Sequence, residues 1–562
     1  MEDLSMRIAM AQINSIVGDL ENNIEKISKY INEAKNCKSD LVIFPELTIT
    51  GYPPQDLLLD DIFVKKNKEL LEQLIQKNTV DIVGVIGFVD YQGKNLFSAA
   101  AVFNRNKLVG IVHKTLLPTY DVFNEERYFK PAEQEEIKPL EIKFHNKKIK
   151  LGVQICEDLW DENYNIKITD LLAKKGANLI VNISSSPYYY GKSIQRQKLL
   201  TEKSRKNKIP IFYVNLVGGQ DELVFDGQSL AVDNSGELIG LGEQFKEDLV
   251  ITDIDLENGT AKKVAAPLHK SIDEMFNAIV LGIHDYFKKN NFKTAVVGMS
   301  GGIDSTLTAC IAAEALGKEN VIGVSMPSKY SSDHSKTDAE TLAENLGIYF
   351  VKIPIQDIVD SYQQTMEQPL KEIRKKFGLE KEKDNSVADE NIQPRTRGNC
   401  LMDISNRLND LKILVLATGN KTEIALGYCT LYGDMVGGIG AIGDVSKLEV
   451  YKLAKHVNKK AGRAIIPNQV FTKKPSAELK EEQFDPFNFD IVSPLVDEII
   501  ENRRSKKKLM EMGYPKEAIE DTFRRIKNME YKRRQAAPSI KITSKAFGIG
   551  RKMPIVNKYL KK

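Results

Sequence analysis

The chain has little cysteine, no long apolar run and almost no excess of charge, and each shortage removes a class of function. Its five cysteines are an odd number without regular spacing. That excludes a disulfide framework and points to free thiols in a reducing compartment. No uninterrupted apolar stretch reaches the roughly 18 to 20 residues that span a bilayer. The start, MEDLSMRIAMAQINSIVG, passes directly into a strand pattern, without the basic start and apolar core of a signal peptide. A cytoplasmic protein with no membrane partner is the expectation. The 80 basic and 77 acidic residues are interleaved and leave a net charge of +3, so no bulk field draws the chain to nucleic acid. The basic clusters Arg503 to Lys508 and Arg533-Arg534 lack interleaved aromatics and read as a solvated helix face or as phosphate contacts. A hydrophobic content of 42% over 562 residues is too much chain for one core and suits two large soluble domains.

Two common nucleotide signatures are also missing. The apolar run Thr294 to Val297 is followed by Gly298-Met299-Ser300-Gly301-Gly302-Ile303-Asp304-Ser305, and then by a predicted helix from Thr306 to Leu316. This loop has neither the Gly-Lys-Ser/Thr ending of a Walker loop nor Gly-x-Gly-x-x-Gly spacing. It still has the parts of a phosphate site: backbone N–H groups at a helix start, glycines that admit an oxyanion, and the hydroxyls of Ser300 and Ser305. Asp304 supplies a carboxylate where magnesium would bridge phosphate oxygens. Predicted strands at Val321 to Met326, Tyr349 to Ile353 and Lys412 to Ala417 make this half a doubly wound parallel sheet that binds ligands at its C-terminal edge. Thr418 to Glu423 follows the last of these strands and brings a second carboxylate for the metal, Glu423. Lys371 to Glu390, rich in Lys and Glu, reads as a surface loop that orders over substrate or as a solvated insertion. Glu390 to Arg397 concentrates amide and guanidinium donors just before a helix. Residues 427 to 447 are too glycine-rich for a helix and read as a loop that a flat or phosphorylated ligand can approach.

In the first half, three buried strands end in polar residues. Asp40 to Phe44 delivers Glu46, Lys107 to His113 delivers Lys114, and Leu151 to Ile155 delivers Cys156. A glutamate can take the proton of a thiol, a lysine can hold a developing oxyanion, and a thiolate can attack an amide carbonyl to form a thioester.

These strings carry two resemblances. FPELTITGYP, HKTLLPTYDVFNEERYF and QICEDLW resemble the three motif blocks of the nitrilase superfamily, in particular its glutaminase branch fused to synthetases. The resemblance implies a four-layer α-β-β-α sandwich with Glu46 as general base, Lys114 as oxyanion stabiliser, Cys156 as nucleophile and Glu125 positioning the lysine. It implies that Tyr120, Ser186 and Lys192 hold glutamine, with Glu157 facing the same pocket. Ser-Gly-Gly-x-Asp-Ser resembles the signature of the ATP pyrophosphatases. Together with GYCTLYGDMVGGIGAIGDVSK, PSAELK and YKRRQAAPSIKITSKAFG it extends the likeness to the NAD synthetases over essentially the whole chain. By that resemblance Gly298 to Ser305, Thr418 and Lys447 bind ATP, the backbone after Met326 lines the adenine pocket, and Asp304 and Glu423 hold Mg2+. Asn391, Glu423, Tyr428, Cys429, Thr430, Leu431, Asp434 and Lys532 meet deamido-NAD+. QFDPFNFD, after PSAELK, stands where the resembled family is more acidic.

The implied organisation is a nitrilase-like domain over 1–256, a polar connection over 257–267 and an ATP pyrophosphatase domain over 268–562. The implied reaction amidates deamido-NAD+ through an adenylate, with ammonia from glutamine, and a dry passage would keep that ammonia unprotonated. A homo-oligomer is expected by resemblance. Three other readings stay open at this point: a nitrilase-fed ligase for another carboxylate, a non-catalytic nucleotide-binding protein, and an amidase indifferent to ATP.

Overall fold

The computed structural model describes residues 5–144, 147–264, 271–379, 386–480 and 483–559. The chain divides into two compact units, Met1–Lys270 and Ser271–Lys562.

The first unit holds two six-stranded sheets. In space the first runs Asp248–Asp255, Ser5–Gln12, Leu41–Ile43, Val83–Gln92, Asn95–Asn104, Lys107–His113. The second runs Leu238–Leu241, Leu230–Val232, Ile211–Asn215, Leu179–Ser184, Lys147–Ile155, Leu140–Phe144. Strand side chains alternate between faces, and the buried sets follow that rule. Met6, Ile8 and Met10 pack with Leu151, Val153, Ile155, Val181 and Ile183 in a core shared by the two sheets. Ala9 and Ala11, on the other face, pack under Ile27, Ile31 and Ala34 of the helix Leu20–Asn36 and Leu71 and Leu74 of the helix Asp61–Asn78. Across the unit, Ile180, Ile211 and Tyr213 pack under Leu172 of the helix Ile168–Lys174 and Leu199 and Leu200 of the helix Lys192–Asn207. The layers are therefore helix, sheet, sheet, helix. The expected connection from 257 begins as a turn, with Asp255 bridged to Thr260 and Ala261 packed against the shared core. Its residues 265–267 lie outside the described residues.

The second unit is built on a five-stranded, wholly parallel sheet in the order Tyr349–Lys352, Val321–Ser325, Thr294–Gly298, Ile413–Ala417, Ile439–Gly440. Chain order reverses between Thr294–Gly298 and Ile413–Ala417, so the segments leaving these two strands diverge and open a crevice at their C-terminal ends. Both metal-ligand candidates come from those two exits.

Three expectations need correction. The helix expected from Thr306 begins at Ile303, because Gly301, at φ +75°, already turns the chain, and Asp304 thus belongs to the first helical turn. The stretch Lys371 to Glu390 is not a loop at its described ends: the helix Gln356–Lys376 runs into it and the helix Ser386–Arg407 starts within it, while 380–385 lie outside the described residues. Glu390 to Arg397 consequently sits inside that second helix, not before it. Among the described residues no helix is long and apolar enough to cross a membrane.

Candidate active sites

In the first unit the two sheets bring the three strand exits together. Glu46 follows Leu41–Ile43, Lys114 follows Lys107–His113, and Cys156 opens a 3-10 turn, Cys156–Leu159, directly after Lys147–Ile155. All three are buried. Lys114 Nζ lies 2.7 Å from Glu46 Oε1 and 2.7 Å from Glu125 Oε2. The Tyr52 hydroxyl donates to Glu125 at 2.9 Å, and the Ser185 N–H donates to Glu46 Oε2 at 3.1 Å. Burial alone would lower the Lys114 ammonium, but Glu125 and Glu46 outweigh it and hold its proton affinity well above the ordinary value. Burial raises Glu125 to about 7, against the pull of Lys114. The Cys156 thiol is pushed well up, first by burial and then by the charge of Glu46, with Lys114 opposing. The resting thiol is thus protonated, and its attack on a carbonyl requires a base; the ammonium is the cation available to an oxyanion.

Cys156 also has φ +45°, where a β-carbon is strained. Around it, the Tyr120 hydroxyl donates to both Glu157 oxygens at 3.1 and 3.0 Å, and the Tyr164 hydroxyl to Oε1 at 3.1 Å. Lys192 Nζ sits 3.6 Å from the ring centre of Trp160, the residue that ends the turn Cys156–Leu159. Ser186 follows Leu179–Ser184, the parallel neighbour of the Cys156 strand, and its N–H donates to Asn215 Oδ1 at 2.9 Å. Tyr120, Glu157 and Lys192 therefore gather at the turn, with Ser186 at the adjacent strand end.

In the second unit a cavity of about 300 Å³ lies at the sheet crevice. Its wall includes all of Gly298, Met299, Ser300, Gly301, Gly302, Ile303, Asp304 and Ser305, together with Thr418, Glu423, Tyr428, Thr430, Asp434 and Lys447. Asn391, Cys429, Leu431 and Lys532 do not line it. They stand behind the wall: Asn391 accepts from the Thr430 hydroxyl at 2.7 Å, Lys532 donates to the Gly427 and Cys429 carbonyls at 2.9 and 2.7 Å, and the Leu431 carbonyl accepts from Arg395. These residues shape the loop that faces the cavity. Gly301 is required by space as well as by φ, since a β-carbon there would lie 2.3 Å from the Ser335 carbonyl oxygen.

Lys447 Nζ joins the two carboxylates, 2.5 Å from Asp304 Oδ2 and 3.1 Å from Glu423 Oε1. Burial, reinforced by Asp304 and opposed by Lys447, raises Glu423 to about 7. Two hard oxygen donors that converge on one cation and reach the cavity suit Mg2+, which takes one or two carboxylates and completes its shell with phosphates and water. Among the described residues no group of three or more His, Cys, Asp or Glu is placed to hold a metal by itself.

Comparison with known proteins agrees with this division. Residues 7–263 match the family described as carbon-nitrogen hydrolase, and residues 275–536 that described as NAD synthase. The glutamine-dependent NAD(+) synthetase of Synechocystis sp. is 42% identical, over 98% of this chain and 99% of its own. The chain belongs to the glutamine-dependent NAD(+) synthetases. The Thermotoga maritima member of that family is 39% identical over 99% of both chains. The structure of the Acinetobacter baumannii glutamine-dependent NAD+ synthetase, in complex with ADP, matches with a TM-score of 0.76 at 36% identity, covering 99% of this chain and 100% of that one. The Cytophaga hutchinsonii enzyme matches with a TM-score of 0.81 at 23% identity, covering 99% of this chain and 98% of that one; at that identity the likeness speaks for the fold.

Three residues at these sites escape a reading of the sequence, and a fourth, Arg397, is reached only as the end of the donor-rich string Glu390 to Arg397. Asp158 ties the Cys156 turn to the exit of the Lys114 strand. Asn420 donates to Asp304 Oδ1 at 2.9 Å while capping the helix Lys421–Leu426. Arg397 lines the cavity, with burial lowering its guanidinium to about 10. Asp485, from QFDPFNFD, reaches the same wall. The only signal in reach was the Gln-Pro-Arg-Thr-Arg string for Arg397, since the partners of the others are remote in sequence. Arg533, a candidate phosphate contact, instead donates to the Ile424 and Ala425 carbonyls and pairs with Glu530 at 3.0 Å.

Proposed function

We propose that this chain makes NAD+ from deamido-NAD+, ATP and glutamine, releasing AMP, pyrophosphate and glutamate. The observation that carries the reading is the pairing, in one chain, of a buried thiol–carboxylate–ammonium set with a nucleotide cavity walled by Ser-Gly-Gly-x-Asp-Ser and two carboxylates.

At the first site Glu46 takes the Cys156 proton as sulfur attacks the glutamine side-chain amide, and Lys114 stabilises the oxyanion. The proton is passed to the departing nitrogen, ammonia leaves, and water cleaves the thioester to glutamate. Tyr120, Glu157, Ser186 and Lys192 hold the amino acid. At the second site the nicotinate carboxylate of deamido-NAD+ displaces pyrophosphate from ATP to give a mixed anhydride. Ammonia attacks that anhydride, a proton is lost, and AMP departs. Without adenylation the carboxylate is a poor acylating agent. Asp304 and Glu423 would hold magnesium against the phosphates, where it supplies charge neutralisation, and Lys447 is then placed to meet phosphate oxygen. Ammonia in bulk water would protonate, so its transfer is sheltered; with unlabelled ammonium present, NAD+ should carry far more of the isotope of amide-labelled glutamine than mixing of the released ammonia with the bulk pool would give.

The exposed apolar residues Ile358, Tyr362, Leu370 and Ile373, spaced along the helix Gln356–Lys376, with Phe377 just past its end, support a homo-oligomer. Five free cysteines fit a cytoplasmic location. The test is NAD+ formation from deamido-NAD+, ATP and Mg2+, with glutamine or ammonium, in wild type and Cys156→Ala. The variant should lose glutamine-driven synthesis and keep ammonium-driven synthesis. Equal loss with both nitrogen sources would overturn the division of labour, and no product from folded wild type would overturn the reaction.

A further inference from the structure

The nucleophile and the oxyanion-stabilising lysine stand on different sheets, forty-two positions apart in sequence, and nothing covalent fixes their separation. One carboxylate bonds the backbones beside both of them. Asp158 is 2% exposed. Its Oδ2 accepts the Ile155 N–H at 3.0 Å, immediately before Cys156, and so closes the 3-10 turn back on its own start. Its Oδ1 accepts the Thr115 N–H at 3.1 Å and the Leu116 N–H at 2.8 Å, the two residues immediately after Lys114. Both backbones that carry the reacting side chains therefore hang on the two oxygens of one buried group.

We propose that Asp158 is the positioning residue that sets the separation between the Cys156 thiol and the Lys114 ammonium. The proposal rests on the glutamine-hydrolysing reading of this unit. Three features make the tie necessary. Cys156 occupies a strained φ of +45°, so the turn needs an external hold to present its sulfur. The Lys114 side chain is long, and although its head is held by Glu46 and Glu125, Glu46 reaches the second sheet through Ser185, at the exit of the neighbouring strand and not at the turn that carries Cys156. The chain after Lys114 runs on without helix or strand to Glu125, so no ladder holds Thr115 and Leu116 against the second sheet. A misplacement of about 1 Å between reacting groups is enough to cost on the order of a hundredfold in rate.

The variants Asp158→Asn and Asp158→Ala grade the tie. Asparagine keeps one acceptor oxygen for Thr115 and Leu116 but turns an N–H2 toward the Ile155 N–H; alanine removes every bond. Both are assayed with glutamine and with ammonium, alongside the melting profile and the rate of Cys156 alkylation by iodoacetamide across pH. The expected result is a fall in glutamine-driven kcat of about tenfold for asparagine and about a hundredfold for alanine. The glutamine KM should change less than about twofold, ammonium-driven synthesis should be unchanged, and the pH profile of alkylation should shift as the ammonium loses its place beside the sulfur. Wild-type glutamine turnover with both variants unimpaired would overturn the proposal. So would a loss that tracks the unfolded fraction with the alkylation profile unmoved, which is the signature of a structural role alone. Absence of glutamine turnover in the wild type would instead overturn the reading beneath it.

Discussion

A lysine ammonium with no exposed surface is tolerable only as part of a set, and at the first site the set is Lys114 with Glu46 and Glu125. Removing the cation leaves two carboxylates buried without compensation, which costs about 3 to 5 kcal/mol. Lys114→Met should therefore lower the melting transition of the first unit as well as abolish glutamine use, and a variant that is inactive but as stable as wild type would show the carboxylates to be solvated. Gly87 exerts a subtler control. A β-carbon there would lie 2.4 Å from the Pro45 carbonyl oxygen and 2.7 Å from Glu46 Cα, and backbone atoms cannot step aside cheaply. Gly87→Ala should reduce glutamine-driven kcat by about tenfold or more through the displaced base, with ammonium-driven synthesis as the internal control.

At the scale of the element, what can be read in advance is what the element itself encodes. Short apolar runs ending in Glu46, Lys114 and Cys156 announce buried strands that deliver chemistry, because a polar side chain after such a run is solvated only where it meets a cleft. The Ser-Gly-Gly turn announces its phosphate site by φ demands that glycine alone meets easily. Asp158, Asn420 and the Lys447 bridge give no such sign, since each acts through a partner that only the fold supplies. The stretch Lys371 to Lys376 misleads for the opposite reason: it closes the helix Gln356–Lys376, which buries only Val359, so its polar composition resembles a loop. Two predictions belong here. Asn420→Ala removes a helix cap worth about 1 kcal/mol and frees Asp304, so pyrophosphate release should fall with either nitrogen source. On the homo-oligomer proposed above, Ile373→Asp with Phe377→Asp should sediment as a smaller species than wild type, and unchanged sedimentation would mean that no second copy covers this face.

Over the whole molecule, burial is the leading cause that raises Glu125, Asp158 and Glu423 to about 7 and Asp434 to about 6. Unfolded carboxyls titrate near 4, so between those values the folded protein binds more protons than the unfolded chain. The stabilisation from these groups is complete below their unfolded pKa and is lost as pH rises through 6 to 7. Calorimetry should find a lower melting temperature at pH 8 than at pH 6, and the opposite slope would mean that pairing outweighs burial. Ammonium-driven synthesis should run the other way in rate, climbing with pH as free ammonia becomes available, while glutamine-driven synthesis does not follow that climb.

The antiparallel pairing of Ser5–Gln12 with Asp248–Asp255, in register from Ser5↔Asp255 to Gln12↔Asp248, bears on how the protein is born. Ser5–Gln12 is translated long before Asp248–Asp255, so it waits for one of its two neighbours until almost the whole unit has been made. Until then it presents a bare hydrogen-bonding edge, the kind that invites another chain to dock. A fragment that stops short of residue 248 keeps that edge open for good, and the place to cut this protein for separate expression of its glutaminase half lies beyond the last strand, never within it.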